Sequence, residues 1–173
     1  MTDALSLAHN INEKACLQTL SKMVQQKSHS ETEGERVLAE NMIQIMRQMG
    51  LESYAQPVEG DRINAIGIWR GTGGGESLLF NGHLDTNPVS EGWTVDPWGG
   101  LIDDKFIYGI GVSNMKAGDA ASLCAVITLI ENGKQLKGDV ILTYVVGELQ
   151  GGVGTYAAVQ AGTKANYFIN SEP

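Results

Sequence analysis

The chain has 173 residues, and its twelve Lys and Arg against twenty Asp and Glu leave a formal charge of −8, with 42% of residues hydrophobic and 18% charged. That is apolar material for one ordinary domain with a real core, which excludes a disulfide-stapled miniprotein and an intrinsically disordered tail. The acidic balance lacks the clustered Lys and Arg that counterion release from a phosphate backbone requires, so nucleic acid is not an expected partner.

The opening 1–14 stretch has no basic start followed by an apolar run and so does not read as a secretory signal. Residues 8–27 then carry Ile11, Ala15, Leu17, Leu20 and Val24 at mostly three- and four-residue spacing, which predicts an amphipathic helix. A second helix is expected over about 32–49, with a methionine-rich apolar side (Met42, Met46, Met49) read as core packing and Gly50 as its C-terminal stop. Extended segments follow at 52–58 and 62–69, joined by a turn at Glu59-Gly60-Asp61. The glycine run 71–75 lacks the Gly-Lys-Ser/Thr ending of a phosphate loop and reads as a flexible turn before a strand at 77–82.

Further on, 101–108 reads as strand, with Asp103 and Asp104 in a hairpin turn. Residues 116–132 predict a long helix closed by Gly133, 139–146 a strand, 152–161 a helix and 167–170 a last strand. Strands alternating with helices predict a single α/β domain with a mostly parallel mixed sheet flanked by helices. The longest apolar stretch, 120–130, is shorter than the roughly 20 residues a membrane helix needs, so no membrane partner is expected. Cys16 and Cys124 are far apart within helix-like segments, which fits packing thiols in a reducing, cytoplasmic setting better than a disulfide framework.

Three strand ends break the apolar pattern with groups that carry chemistry. The strand at 77–82 runs into His83 and Asp85, which share a face at strand spacing, so Asp85 can hold the His83 imidazole in one tautomer. The 139–146 strand ends at Gly147-Glu148, and the last strand ends at Ser171-Glu172. In open α/β sheets ligands sit beyond the carboxyl ends of strands, and a histidine and carboxylates from separate strand ends can surround one cation. Each has a plainer reading alone: a His/Asp turn contact, or an acid at a helix start. Of the other polar groups, His9 and His29 read as solvent-exposed, Trp93 and Trp98 as a packed loop, and Lys116 as a helix-start cation with a local acidic partner.

These residues fall in ordered motifs that resemble the metallohydrolase family of aminoacylase, acetylornithine deacetylase, succinyl-diaminopimelate desuccinylase and glutamate carboxypeptidase. Gly82-His83-Leu84-Asp85-Thr86-Asn87-Pro88 resembles its Gly-His-x-Asp-Thr-x-Pro, and Trp93 with Asp96-Pro97-Trp98 the segment that follows. Tyr108 to Lys116 resembles a segment that normally ends Asp-Met-Lys. Gly147-Glu148-Leu149-Gln150-Gly151-Gly152 resembles Gly-Glu-Glu-x-Gly-Gly, and Ser171-Glu172-Pro173 the closing Glu-Pro. The resemblance implies a zinc-peptidase-like catalytic domain in which His83 and Glu172 bind one metal, Asp85 orients His83, and Glu148 is the general base. It also implies that residues 1–173 are the N-terminal part of that domain, with the lid and dimerisation domain and the C-terminal return absent from this chain. A homo-oligomer would form through that missing domain.

Two positions depart from the family pattern. Asn114 stands where an aspartate bridges two metals, and Leu149 where a glutamate binds the second. An amide offers one carbonyl oxygen and no second acceptor end, and a leucine offers no lone pair at all. Both losses fall on the second metal, so a site with one divalent ion (zinc or manganese, with cobalt possible) held by His83, Glu172 and Asn114 is expected. The expected chemistry is hydrolysis of a carbon–nitrogen bond in a small-molecule substrate. Two alternatives stay open: a one-metal aminohydrolase acting on an activated or aromatic amine, and a catalytically inactive relative that binds or scaffolds.

Overall fold

Why the polar strand ends meet follows from the direction of three strands in the computed structural model, which describes residues 4–173. A five-stranded sheet runs in the order β1-β2-β6-β3-β7, built from β1 (Glu52–Pro57), β2 (Ile63–Trp69), β3 (Leu78–His83), β6 (Val140–Val145) and β7 (Tyr167–Asn170). The sheet is mixed and flanked by helices, as expected, but not mostly parallel, since two of its four pairings are antiparallel. Parallel pairing is confined to β6-β3 and β3-β7, while β1-β2 and β2-β6 are antiparallel. The carboxyl ends of β3, β6 and β7 therefore share one edge, and His83, Glu148 and Glu172 follow from those ends.

Helices α2 (Glu13–Gln25), α3 (Glu33–Gln48) and α4 (Ala117–Glu131) bury their apolar faces against one side of the sheet. The core joins Leu20, Met23 and Val24 of α2, Leu38, Met42 and Met46 of α3 and Leu123 and Val126 of α4 to Val140, Leu142 and Tyr144 of β6. The methionine stripe is thus core at Met42 and Met46, both fully buried. Alternate strand residues (Leu79, Asn81, Thr143) face the other way, towards Ala158 and Val159 of α5 (Val153–Gln160). No helix among the described residues is long and apolar enough to cross a membrane.

Three local differences from the sequence pattern have clear causes. The helix expected over 8–27 is interrupted: a short α1 (Ala4–Ala8) ends, and α2 restarts after Asn12, whose side chain accepts from the Ala15 N–H at 3.0 Å. The strand expected over 101–108 is a hairpin of two short strands, β4 (Leu101–Ile102) and β5 (Ile107–Tyr108), because the Asp103 carboxylate accepts from the Lys105 and Phe106 N–H groups and turns the chain. Lys116 is fully buried and has the acids Asp119 and Asp85 nearby, but among the described residues its hydrogen bonds go to backbone instead: its Nζ donates to Met23 O at 2.9 Å and Gln26 O at 3.4 Å, filling carbonyls left open at the end of α2. Burial pushes its pKa down to about 8 against the nearby charges of Asp119 and Asp85.

Candidate functional site

His83 closes β3 with its side chain 2% exposed, and its two ring nitrogens face different surroundings. On the inner side Nδ1 lies 2.9 Å from the Asp85 backbone carbonyl and 3.4 Å from Asp85 Oδ1. On the outer side Nε2 lies 2.6 Å from Asn114 Oδ1, 3.5 Å from Glu172 Oε2 and 3.9 Å from Glu148 Oε2. The five residues expected from sequence to form the site are therefore brought together. Burial favours the neutral imidazole, but the Asp85 and Asn114 hydrogen bonds and the Asp85 and Glu172 charges outweigh it and raise His83 to about 9.

Asp85 does more than face the imidazole. Its buried carboxylate accepts from Ser30 Oγ at 2.6 Å, from the Glu148 N–H at 3.1 Å and from the Leu149 N–H at 3.2 Å. Burial alone would raise its pKa; the interactions with His83, Ser30 and the Glu148 N–H overcome that and hold it at about 2. The carboxylate that backs the histidine also fixes the turn that carries Glu148.

That turn (Glu148–Gln150) begins after β6 at Gly147, whose φ of +69° is a left-handed conformation. A Cβ at Gly147 would press into the Arg62 guanidinium and a Val153 methyl, so glycine is required there on two counts. Further buried groups hold the turn. Glu35 Oε1 accepts from the Gly147 N–H at 3.1 Å and from Arg62 at 2.9 Å, and Arg62 also reaches Gln150 Oε1 at 3.3 Å. Asn64 accepts from the Val146 N–H at 3.1 Å and donates to Gly154 O at 2.8 Å, joining the chain before and after the turn. Desolvation raises the Glu35 pKa in spite of Arg62.

Glu35, Arg62 and Asn64 escaped the sequence reading. One signal was present: Glu35 lies on the same helical stripe as Leu38, Met42 and Met46, an acid on a face otherwise destined for the core. A second buried acid, Asp119 of α4, packs so closely under Gly82 that a Cβ there would overlap its Oδ1. Complete burial raises its pKa well above the usual range. Of the residues given plainer readings, His9 and Trp93 are exposed, whereas His29 is half-buried and bridges to Thr86. Trp98 is half-buried, with Lys116 Nζ 5.7 Å from its ring centre.

Asn114 lies in an irregular turn (Val112–Lys116) before α4, and the Asn114–Met115 peptide is cis. Glu172 follows β7, its N–H bonded to Asn170 Oδ1 at 2.7 Å and its side chain 37% exposed. A cleft of about 520 Å³ opens in front, lined by His83, Met115, Glu148, Tyr156, Phe168 and Glu172 among others. Among the described residues no group of three or more His, Cys, Asp or Glu side chains is gathered as a metal cluster. The converging donor set is instead one imidazole nitrogen, the Glu172 carboxylate and the Asn114 amide oxygen, with Leu149 contributing none. That set could hold a hard or borderline divalent cation.

Known proteins share this arrangement of elements. The M20 family metallo-carboxypeptidase of Sulfolobus solfataricus superposes on 90% of the chain and 37% of its own with a TM-score of 0.81 at 24% identity, a likeness of fold. The N-formyl-4-amino-5-aminomethyl-2-methylpyrimidine deformylase of Halalkalibacterium halodurans is 38% identical over 113 residues, 63% of this chain and 26% of that protein. A succinyl-diaminopimelate desuccinylase of a Ruegeria species is 38% identical over 117 residues, 64% of this chain and 29% of its own. The chain thus spans less than a third of the length of these two relatives. The family signature itself matches residues 79–173, more than half of the chain and the part that carries His83, Asp85, Asn114, Glu148 and Glu172, and the chain belongs to peptidase family M20/M25/M40.

Proposed function

We propose that this chain supplies the N-terminal part of the catalytic domain of a metal-dependent hydrolase that cleaves a carbon–nitrogen bond in a small molecule. The convergence of Asn114, Glu148 and Glu172 on His83 Nε2 carries the reading. The similarity to a deformylase and a desuccinylase, and the small share of their length that the chain covers, support it. His83, Glu172 and Asn114 are the residues that would hold one divalent cation, zinc or manganese, with cobalt a further candidate. The cation would supply Lewis-acid polarisation of the electrophile.

The chain's own groups do the remaining work. Asp85 faces His83 Nδ1 through its backbone carbonyl and its carboxylate and, through the Glu148 and Leu149 N–H groups, fixes the backbone that carries Glu148. Glu148, 44% exposed at the cleft, would take a proton from an attacking water and return it to the leaving nitrogen. Glu148→Gln should cut turnover about 10² to 10⁴-fold, the span of general acid–base assistance, while metal content stays at one equivalent per active chain. The assay uses N-formyl and N-succinyl amines with the protein that carries this chain, alongside elemental analysis. Activity retained within a few fold would remove Glu148 from the role, and two equivalents of metal would remove the single-ion reading.

Leu149 favours a second reading at the level of substrate. Its side chain, 37% exposed, puts hydrocarbon where a second metal ligand would be, so tight two-ion clamping of an amide intermediate is not available. Release of an amine from an activated or aromatic carbon would then accompany failure on simple amides. Stoichiometric metal with no release of amine or ammonia from either class would instead mark a binding protein.

A further inference from the structure

Remote from the cleft, α2 and α4 bring together two thiols that lie far apart in sequence. Cys16 Sγ of α2 contacts Ala120 O of α4 at 3.7 Å. Cys124 lies one turn further along the same face of α4, near enough for the Cys16 thiol to be among the groups that raise its pKa. Both are free thiols; Cys16 is half-buried and Cys124 is 8% exposed, packed beside the core. The expectation of two unrelated packing thiols is therefore incomplete: they are neighbours.

We propose that Cys16 and Cys124 form a reversible dithiol site, which a low-molecular-weight disulfide converts to an intramolecular cross-link between α2 and α4. The Cys16 sulfur, the more accessible, loses its proton and attacks the disulfide, releasing one thiol and leaving a mixed disulfide. Cys124 then loses its proton and attacks the Cys16 sulfur, releasing the second thiol. In sum, two protein thiols and one small disulfide give one protein disulfide and two small thiols. The order follows from access and from the chemistry of the inner thiol, since burial and the neighbouring Cys16 push Cys124 up to about 12 and disfavour it as first attacker. The bond would tie α2 to α4 at a second point, besides the contact of Lys116 with the end of α2.

The test exposes the chain to oxidised glutathione in native buffer and, in parallel, in concentrated guanidinium, followed by intact mass and non-reducing peptide mapping. Expected is a loss of two hydrogens, a single peptide pair joining Cys16 to Cys124, and formation at least tenfold faster in native buffer. Dithiothreitol should reverse it, and the oxidised form should melt about 5 °C or more higher, because the bond closes a long loop in the unfolded chain. Cys124→Ser should stop at a persistent glutathione adduct on Cys16, and Cys16→Ser should leave Cys124 unmodified in native buffer. A stable glutathione adduct on the unaltered chain, no reaction in native buffer, or equal rates in the two solvents would overturn the proposal. None of these readouts requires the hydrolase reading to hold.

Discussion

Glu148 and Glu172 both direct a carboxylate at His83 Nε2, from 3.9 and 3.5 Å, yet the backbones that carry them are anchored in opposite ways. The Glu148 turn is fastened by Asp85, Glu35, Arg62 and Asn64, all buried or nearly so. Glu172 follows β7, which among the described residues pairs with β3 alone and exposes Tyr167, Phe168 and Ile169. One half of the site is preorganised by the core of the domain. The other half follows the outermost strand of the sheet among the described residues. Stability and site chemistry should therefore be coupled at the first half and separable at the second.

The largest effect on stability should come from Glu35→Ala. It removes the buried partner of Arg62, 10% exposed, which keeps only the exposed Glu59 carboxylate and Gln150, and leaves the Gly147 and Glu31 N–H groups without their acceptor. Removing one partner of a buried ion pair costs about 3–5 kcal/mol. Urea denaturation should show that loss as a lower midpoint at constant slope, and Glu35→Gln should recover part of it because a neutral acceptor remains. A loss below about 1 kcal/mol would mean that the turn is held by Asp85 and Asn64 without Glu35.

A smaller effect should appear with pH in metal-free protein. Asp85 titrates at about 2 in the fold against an ordinary value of 3.8, so its contribution is full above 3.8 and disappears as pH falls through about 2. The difference corresponds to about 2 kcal/mol. Melting temperatures measured from pH 5 to pH 2 should fall more steeply for the native sequence than for Asp85→Asn. Parallel curves would show that the ionised Asp85 gains nothing from His83, Ser30 and the Glu148 N–H.

The contrast also explains what the sequence could reveal. His83, Asp85, Glu148 and Glu172 were legible because each interrupts an apolar strand at its end, and the parallel pairing of β3, β6 and β7 then puts those ends on one edge. Asn114 was legible only through the family motif, since an asparagine in an irregular turn has no periodicity to break. Glu35, Arg62 and Asn64 were not found because their partners are backbone N–H and C=O groups brought close only by folding. The burial of Lys116 and the meeting of Cys16 with Cys124 depend likewise on how α2 lies against α4. Local pattern identifies what projects from an element; it says little about what crosses between elements.

The smallest stability effect, and the sharpest test of the contrast, belongs to Glu172→Ala. The side chain is 37% exposed and its backbone N–H bonds to Asn170, a contact that the substitution leaves intact. Unfolding free energy should change by no more than about 0.5 kcal/mol, as for other surface positions. Metal affinity, followed by calorimetric titration with zinc, should fall by more than the roughly 10–100-fold that loss of an outer-shell partner brings. Asp85→Ala should instead lower both together, because the same carboxylate pairs with the histidine at 3.4 Å and anchors the base-bearing turn, even though the Asp85 backbone carbonyl still accepts from His83 Nδ1. If Glu172→Ala unfolded the protein as readily as Asp85→Ala, the β7 edge would be part of the core's cooperative unit, and the division of the site into a rigid and an open half would not stand.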